Sequence, residues 1–193
     1  MWISQEFWSL VLYYKGMKSN VFIFHGTEGY PEENWFPWLK GELEGRGHKV
    51  FVPQFPSPPG VFAKLDEWFA VLDKYKEYIN EDTIIVTHSL GGMFLLHYLE
   101  RYTGKIKMVT FAGIAAGWSF GNLDFDWKKI KNKADEFIIF HSDNDPYVSL
   151  NTSEKLAKGL GVELNIIPNA GHFNAKAGYL KFPELLEKLE KVL

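Results

Sequence analysis

Short apolar runs alternate with amphipathic stretches along this chain. Val21-Phe22-Ile23-Phe24 is too short for a helix and suits a buried strand. Residues 34–46 read as a helix bounded by glycines, and 49–53 as the next strand. Pro56-Ser57-Pro58-Pro59-Gly60 reads as a loop. Over 61–79 the apolar positions Phe62, Leu65, Trp68, Phe69, Leu72, Tyr75 and Ile79 recur every three to four residues, which predicts an amphipathic helix. A strand is predicted at 83–86. The helix predicted at 90–101 is apolar nearly all round, as expected of one buried at the centre of the molecule. Strands at 107–111, 137–140 and 162–167 and helices at 152–159 and 183–193 complete the pattern, with 112–133 irregular. In the last helix Leu185, Leu186, Leu189 and Val192 form the inward stripe. Alternating strands and helices predict an α/β fold: a mostly parallel central sheet with helices on both faces.

Composition narrows the picture. A length of 193 residues suits one domain, expected over 17–193. The net charge of −3, with no long basic cluster, argues against nucleic acid as a partner. The absence of cysteine excludes disulfides and a thiol nucleophile, and fits a reducing compartment such as the cytoplasm. Residues 1–16 are strongly apolar but lack a basic leading region, so they read poorly as a signal peptide. They are also too short and interrupted to span a bilayer. They are expected to form a peripheral extension outside the fold, able to cover a patch or dock on a partner, and Met17 is an alternative start.

The chemistry concentrates at the ends of the predicted strands. Thr87-His88-Ser89-Leu90-Gly91-Gly92 follows an apolar run and opens a helix. A serine on such a turn is lifted out of the sheet, the nucleophile-elbow arrangement of α/β-hydrolases. Thr87 departs from the commoner glycine and is expected to crowd the turn. Beyond Ser89, strand 137–140 ends in His141-Ser142-Asp143-Asn144-Asp145-Pro146-Tyr147-Val148, and strand 162–167 ends in Pro168-Asn169-Ala170-Gly171-His172-Phe173. Ser, then Asp, then His is the chain order of that fold's triad. Serine needs a base during attack, a histidine near neutrality can act as one, and a carboxylate fixes the imidazole. Asp145 is preferred over Asp143, because Pro146 holds it out of the helical region. Asp143 remains the alternative, otherwise a turn former.

Acyl transfer builds charge on a carbonyl oxygen, which two backbone N–H groups can hold. Leu90 is expected to supply one. Thr27, in Phe24-His25-Gly26-Thr27-Glu28-Gly29, is expected to supply the other, unless that loop is a plain turn. His25, Trp35 and Trp118 are candidates to line the substrate pocket, with helix–sheet packing the alternative for the aromatics. Among the remaining histidines, His88 and His97 are expected to pack, His48 to lie on a surface turn, and His141 to order the acid loop. The six histidines show no metal-ligand spacing, and no glycine-rich nucleotide motif is present, so neither metal nor cofactor is expected.

With these motifs in view, the chain resembles the small α/β-hydrolases grouped with retinoblastoma-binding protein 9 and the bacterial YdeN-like proteins. The resemblance runs from about Asn20 to the C-terminus. Its carriers are His25-Gly26 with Asn34-Trp35-Phe36-Pro37-Trp38-Leu39, the elbow, the Ser142–Val148 loop and Gly171-His172-Phe173. The Trp-x-x-Trp element is more specific to this group than the triad. The resemblance implies a compact hydrolase with little or no lid and with Ser89, Asp145 and His172 as its triad. The expected activity is that of a cofactor-independent carboxylesterase of small acyl esters. The expected partner is a small-molecule ester or amide substrate. Rivals are a peptidase, thioesterase or acyltransferase with the same triad, or a protein-binding module with weak residual activity.

Overall fold

The computed structural model describes residues 18–117 and 119–193. Both the expectation for residues 1–16 and the pocket role of Trp118 fall outside them. Six strands form one sheet: β1 (Asn20–Phe24), β2 (Lys49–Phe51), β3 (Ile84–His88), β4 (Ile106–Ala112), β5 (Ala134–Ser142) and β6 (Leu164–Ile167). Their order is β2-β1-β3-β4-β5-β6, and every pairing is parallel. The helices are α1 (Phe36–Gly45), α2 (Leu65–Leu72), α3 (Leu90–Arg101), α4 (Trp127–Lys131), α5 (Leu150–Leu160) and α6 (Pro183–Glu190).

Strand alternation divides the core into two layers. Phe22, Phe24, Ile85, Val109, Phe111 and Ile139 face a layer shared with α2, α3 and α5, centred on Trp68, Phe94 and Leu156. Val21, Ile23, Ile84, Val86, Met108 and Phe140 face the other, packed on α1 and α6 through Phe36, Leu39, Leu43, Leu185 and Leu189. Burial on both faces explains why these strands read as continuous apolar runs.

Two differences from expectation have local causes. The helix predicted over 61–79 begins only at Leu65, because Lys64 is extended (φ −111°, ψ 129°). The Ala63 N–H goes to Ser119 Oγ rather than to a helical carbonyl, and Phe62 is 72% exposed. After Leu72 the polar stretch Asp73–Tyr78 tightens into a 3-10 helix. Thr87, expected to crowd the turn, lies instead in β3, where its buried hydroxyl donates to the Thr110 carbonyl at 2.9 Å.

The parallel arrangement brings the carboxyl ends of β1, β3 and β5 to one edge of the sheet, the edge where α/β sheets bind ligands.

Candidate active site

Ser89 sits between β3 and α3 with φ 53° and ψ −120°, a left-handed backbone that a side-chain-bearing residue adopts at a cost of about 1–3 kcal/mol. Close packing enforces it. A Cβ on Gly91 would lie 2.6 Å from the His25 carbonyl oxygen and 2.7 Å from that of Phe24, so only glycine lets α3 start this near β1. A Cβ on Gly26 would lie 2.7 Å from that of Ser89. The Ser89 N–H donates to the Ala112 carbonyl, and its own carbonyl accepts from Gly92 and Ala115. Its hydroxyl makes no hydrogen bond among the described residues. A serine–histidine contact is often long in a free enzyme and closes when substrate binds.

His172 Nδ1 lies 2.6 Å from Asp145 Oδ2. Burial raises the Asp145 carboxyl. The His172 hydrogen bond and the Tyr147 and Val148 amides outweigh it, so the group sits below the usual carboxylate range. With Nδ1 engaged, His172 Nε2 is left to exchange a proton. Asp143 points elsewhere: its Oδ1 accepts from the Asn169 N–H at 2.8 Å.

That bond is one of six that grip the loop carrying His172. The end of β5 and the loop after it supply three acceptors: Asp143 Oδ1 for the Asn169 N–H, Ser142 Oγ for the Ala170 N–H (2.9 Å) and Asn144 Oδ1 for the Gly171 N–H (2.8 Å). The opposite wall supplies the rest. Asn34 Oδ1 accepts from the Ala175 N–H (2.8 Å), and Trp35 Nε1 donates to the Phe173 carbonyl (2.9 Å). His88 Nε2 contacts the His172 carbonyl at 2.8 Å, so Nε2 carries the proton. Burial, with the His172 imidazole beside it, holds His88 down at about 3, and it stays neutral. Its Nδ1 is buried without a partner. The loop needs this grip, because Asn169 (φ 57°) and Phe173 (φ 49°) are both left-handed.

Trp35 and His25 are therefore not pocket residues. Trp35 is fully buried between Phe36 and Phe182 with its indole N–H spent on the Phe173 carbonyl. His25 is likewise fully buried. Its Nε2 accepts from the Phe55 N–H (2.9 Å), which leaves Nδ1–H for the Gly26 carbonyl (2.8 Å). Burial lowers its pKa, so it is a neutral fastener of the loop that follows. His97 and His141 behave as expected: His97 bonds the Phe120 carbonyl, and His141 joins Val148 to Ser153. His48 accepts from the Ser19 N–H.

The loop after His25 is a turn closed by Gly29 N–H to Gly26 C=O (3.2 Å), with Glu28 left-handed (φ 57°). Neither the Thr27 N–H nor the Leu90 N–H has a partner among the described residues. Thr27, Ser89, His172, Glu28, Glu33, Asn34, Tyr147 and Lys176 share a cleft of about 570 Å³. Among the described residues of the long irregular segment after β4, only Ala115 reaches it. A hydroxyl on a strained turn, an imidazole–carboxylate pair and two unpaired amides can together carry acyl transfer.

A family model described as serine hydrolase matches residues 21–191. The chain belongs to the serine hydrolase family. Two relatives agree with that membership. YdeN of Bacillus subtilis is 27% identical over 183 residues, 90% of this chain and 95% of the relative. The serine hydrolase RBBP9 of Rattus norvegicus is 23% identical over 167 residues, 82% and 86% of the two chains. The crystal structure of the Bacillus subtilis ydeN gene product superposes with a TM-score of 0.84 at 25% identity, covering 91% of this chain and 98% of that one. This serine hydrolase thus has the α/β-hydrolase fold expected from its sequence. No described helix is long and apolar enough to cross a membrane.

Proposed function

We propose that this serine hydrolase is a carboxylesterase of small acyl esters, with Ser89 as nucleophile, His172 as general base and Asp145 as the carboxylate that orients it. The observation that carries the reading is the 2.6 Å His172–Asp145 contact in the same cleft as a serine held at φ 53°. Ser89 Oγ attacks the ester carbonyl and His172 Nε2 takes its proton. The Leu90 and Thr27 amides hold the oxyanion, each worth about 3 kcal/mol in the transition state. As the tetrahedral intermediate collapses, the C–O bond to the alcohol breaks and His172 protonates that alcohol. Water then adds to the acyl carbonyl as His172 takes its proton; the C–O bond to Ser89 breaks, His172 returns the proton to Ser89 Oγ, and the acid leaves.

This sequence of steps uses side chains and backbone alone and calls on no metal or cofactor. Glu28, Glu33, Asn34 and Lys176 on the cleft lining support a substrate with a polar portion, and the absence of cysteine supports a cytoplasmic setting. A fluorophosphonate probe tests the reading. Ser89 is expected to be the modified residue in wild type, with labelling lost in Ser89→Ala. A folded wild-type protein that resists the probe and turns over no activated ester overturns it.

A further inference from the structure

The cleft holds a charged group that the acyl-transfer chemistry does not use. Glu33 lines it together with Thr27, Ser89 and His172. Its carboxyl rests in a notch that a missing side chain provides: a Cβ on Gly29 would lie 2.6 Å from Glu33 Oε1. A larger residue at position 29 would push that carboxyl away. No cation lies within ion-pair distance of Glu33 among the described residues.

None of the neighbouring charged groups pairs with Glu33 among the described residues. Lys176 lies across the cleft, where the Asn34–Ala175 hydrogen bond joins the two walls. Its Nζ turns to the Tyr147 hydroxyl at 3.3 Å. Glu28 Oε1 accepts from the Gly60 N–H at 2.9 Å. His25, beyond Gly29, is buried and neutral, and His172 is engaged with Asp145. Glu32, the chain neighbour, is exposed. Glu33 is thus a half-buried carboxyl that no described basic group neutralises, on the wall that carries the Thr27 amide.

We propose that Glu33 is a substrate-binding residue that selects esters bearing a positively charged ammonium group. The inference rests on the hydrolase reading above. The Tyr30 backbone N–H offsets only part of the cost of burying the carboxylate; a substrate ammonium would add the cation that no described residue provides. Desolvation pushes the Glu33 carboxyl up to about 7, so the selection has a signature in pH. Below that value the group is mostly protonated and discriminates little. Above it the carboxylate is formed and attracts the cation. An alkylammonium keeps its charge throughout this range.

The test compares pairs of activated esters that differ only in carrying an ammonium where the partner has a methyl, placed on the acyl side in one pair and on the alcohol side in the other. The quantity read is the ratio of kcat/KM within each pair. Wild type is expected to favour the ammonium ester about tenfold at pH 8 in at least one pair, falling toward parity by pH 6. Glu33→Gln is expected to abolish the preference and its pH dependence. Because each ratio is taken within one protein, a general loss of activity cancels. Should Glu33→Gln fail to fold, the wild-type pH profile of the ratio decides the matter. Parity in both wild-type pairs at pH 8, or a preference that survives in Glu33→Gln, overturns the proposal. Failure of the hydrolase reading looks different: no member of any pair is turned over, and Ser89 resists the fluorophosphonate.

Discussion

The two walls of the cleft are built by opposite means. The wall carrying His172 is pinned by side chains: six of them, from three separate segments, bond the backbone of residues 169–175. The wall carrying Thr27 is a four-residue turn, held by His25 at the Gly26 carbonyl and by Ser57 Oγ at the Glu28 N–H. It leaves the Thr27 amide and the Glu33 carboxyl facing the cleft. The first wall has its backbone groups satisfied, half of them by Asn34, Trp35 and His88 from across the cleft, and the second keeps some unpaired for a ligand. A proton-transfer group must stay within a few tenths of an ångström of its working position, whereas a recognition surface needs unpaired donors and acceptors.

The largest expected effect tests which carboxylate the first wall uses for chemistry. Asp145→Ala is expected to lower kcat by about 10⁴, because an unpaired imidazole loses its orientation and the stabilisation of its charged form. Asp143→Ala removes one of six grips and is expected to cost about tenfold or less. Steady-state kinetics on one activated ester checks both. A larger loss from Asp143→Ala would transfer the role of acid to Asp143.

Removing a single donor from the second wall comes next. In the Gly26–Gly29 turn the left-handed φ falls at its third residue, Glu28, as in a type II turn. Such turns accept proline at the second position, here Thr27. Thr27→Pro therefore deletes the N–H in a backbone that tolerates the substitution. A drop in kcat of about 10²–10³ is expected, with Thr27→Ala, which keeps the N–H, near wild type. Equal losses in both variants would show that the amide holds no oxyanion.

How much of this asymmetry could be read beforehand depends on whether it is local in sequence. The elbow was legible because strand, serine and helix are consecutive, and Leu90–Arg101 begins and ends where its pattern predicts. The order of Ser89, Asp145 and His172 was legible for the same reason, each following an apolar run. The grip on the loop carrying His172 was not. Trp35 and Phe173 are 138 positions apart, and nothing in an aromatic residue's neighbours says that its indole N–H will meet that carbonyl. His88 looked like a packing residue because its partner lies 84 positions on. The helix predicted from 61 failed because Phe62 fits the period yet faces solvent, and periodicity alone does not say which apolar residues find a core.

A smaller effect probes one grip of the pinned wall. His88→Phe keeps a ring beside His172 but loses the bond to its carbonyl, and kcat is expected to fall about tenfold with KM little changed. The same substitution has a signature in stability. His88 titrates at about 3 when folded and near its ordinary value when unfolded, so between those values the unfolded chain binds the extra proton. Stability therefore declines as pH falls below about 6.5, by roughly 1.4 kcal/mol per pH unit from this group. Urea denaturation at pH 7 and pH 5 is expected to show a shallower decline in His88→Phe, with His25, His48 and His141, also held low by burial, contributing to the remainder. An unchanged kcat together with an unchanged acid slope would remove His88 from the grip.

The smallest effect belongs to the open wall and has the opposite sign. Glu33 titrates at about 7 in the folded chain, above its ordinary value, so between about pH 4.5 and 7 the folded state holds a proton that the unfolded chain has released. Stability from this group is therefore lost as pH rises through that window and stays low above it. Because the carboxyl is only half-buried, the loss is about 1 kcal/mol after solvent screening. Glu33→Gln carries no such proton, and its urea midpoint is expected to exceed that of wild type at pH 8 and to match it at pH 4.5. Gains at the acid end would mean that Gln packs better than Glu at this position, and the carboxylate would then carry no cost in the folded state. A gain confined to high pH would show that the open wall keeps Glu33 against stability, while the pinned wall satisfies the polar groups of its own loop.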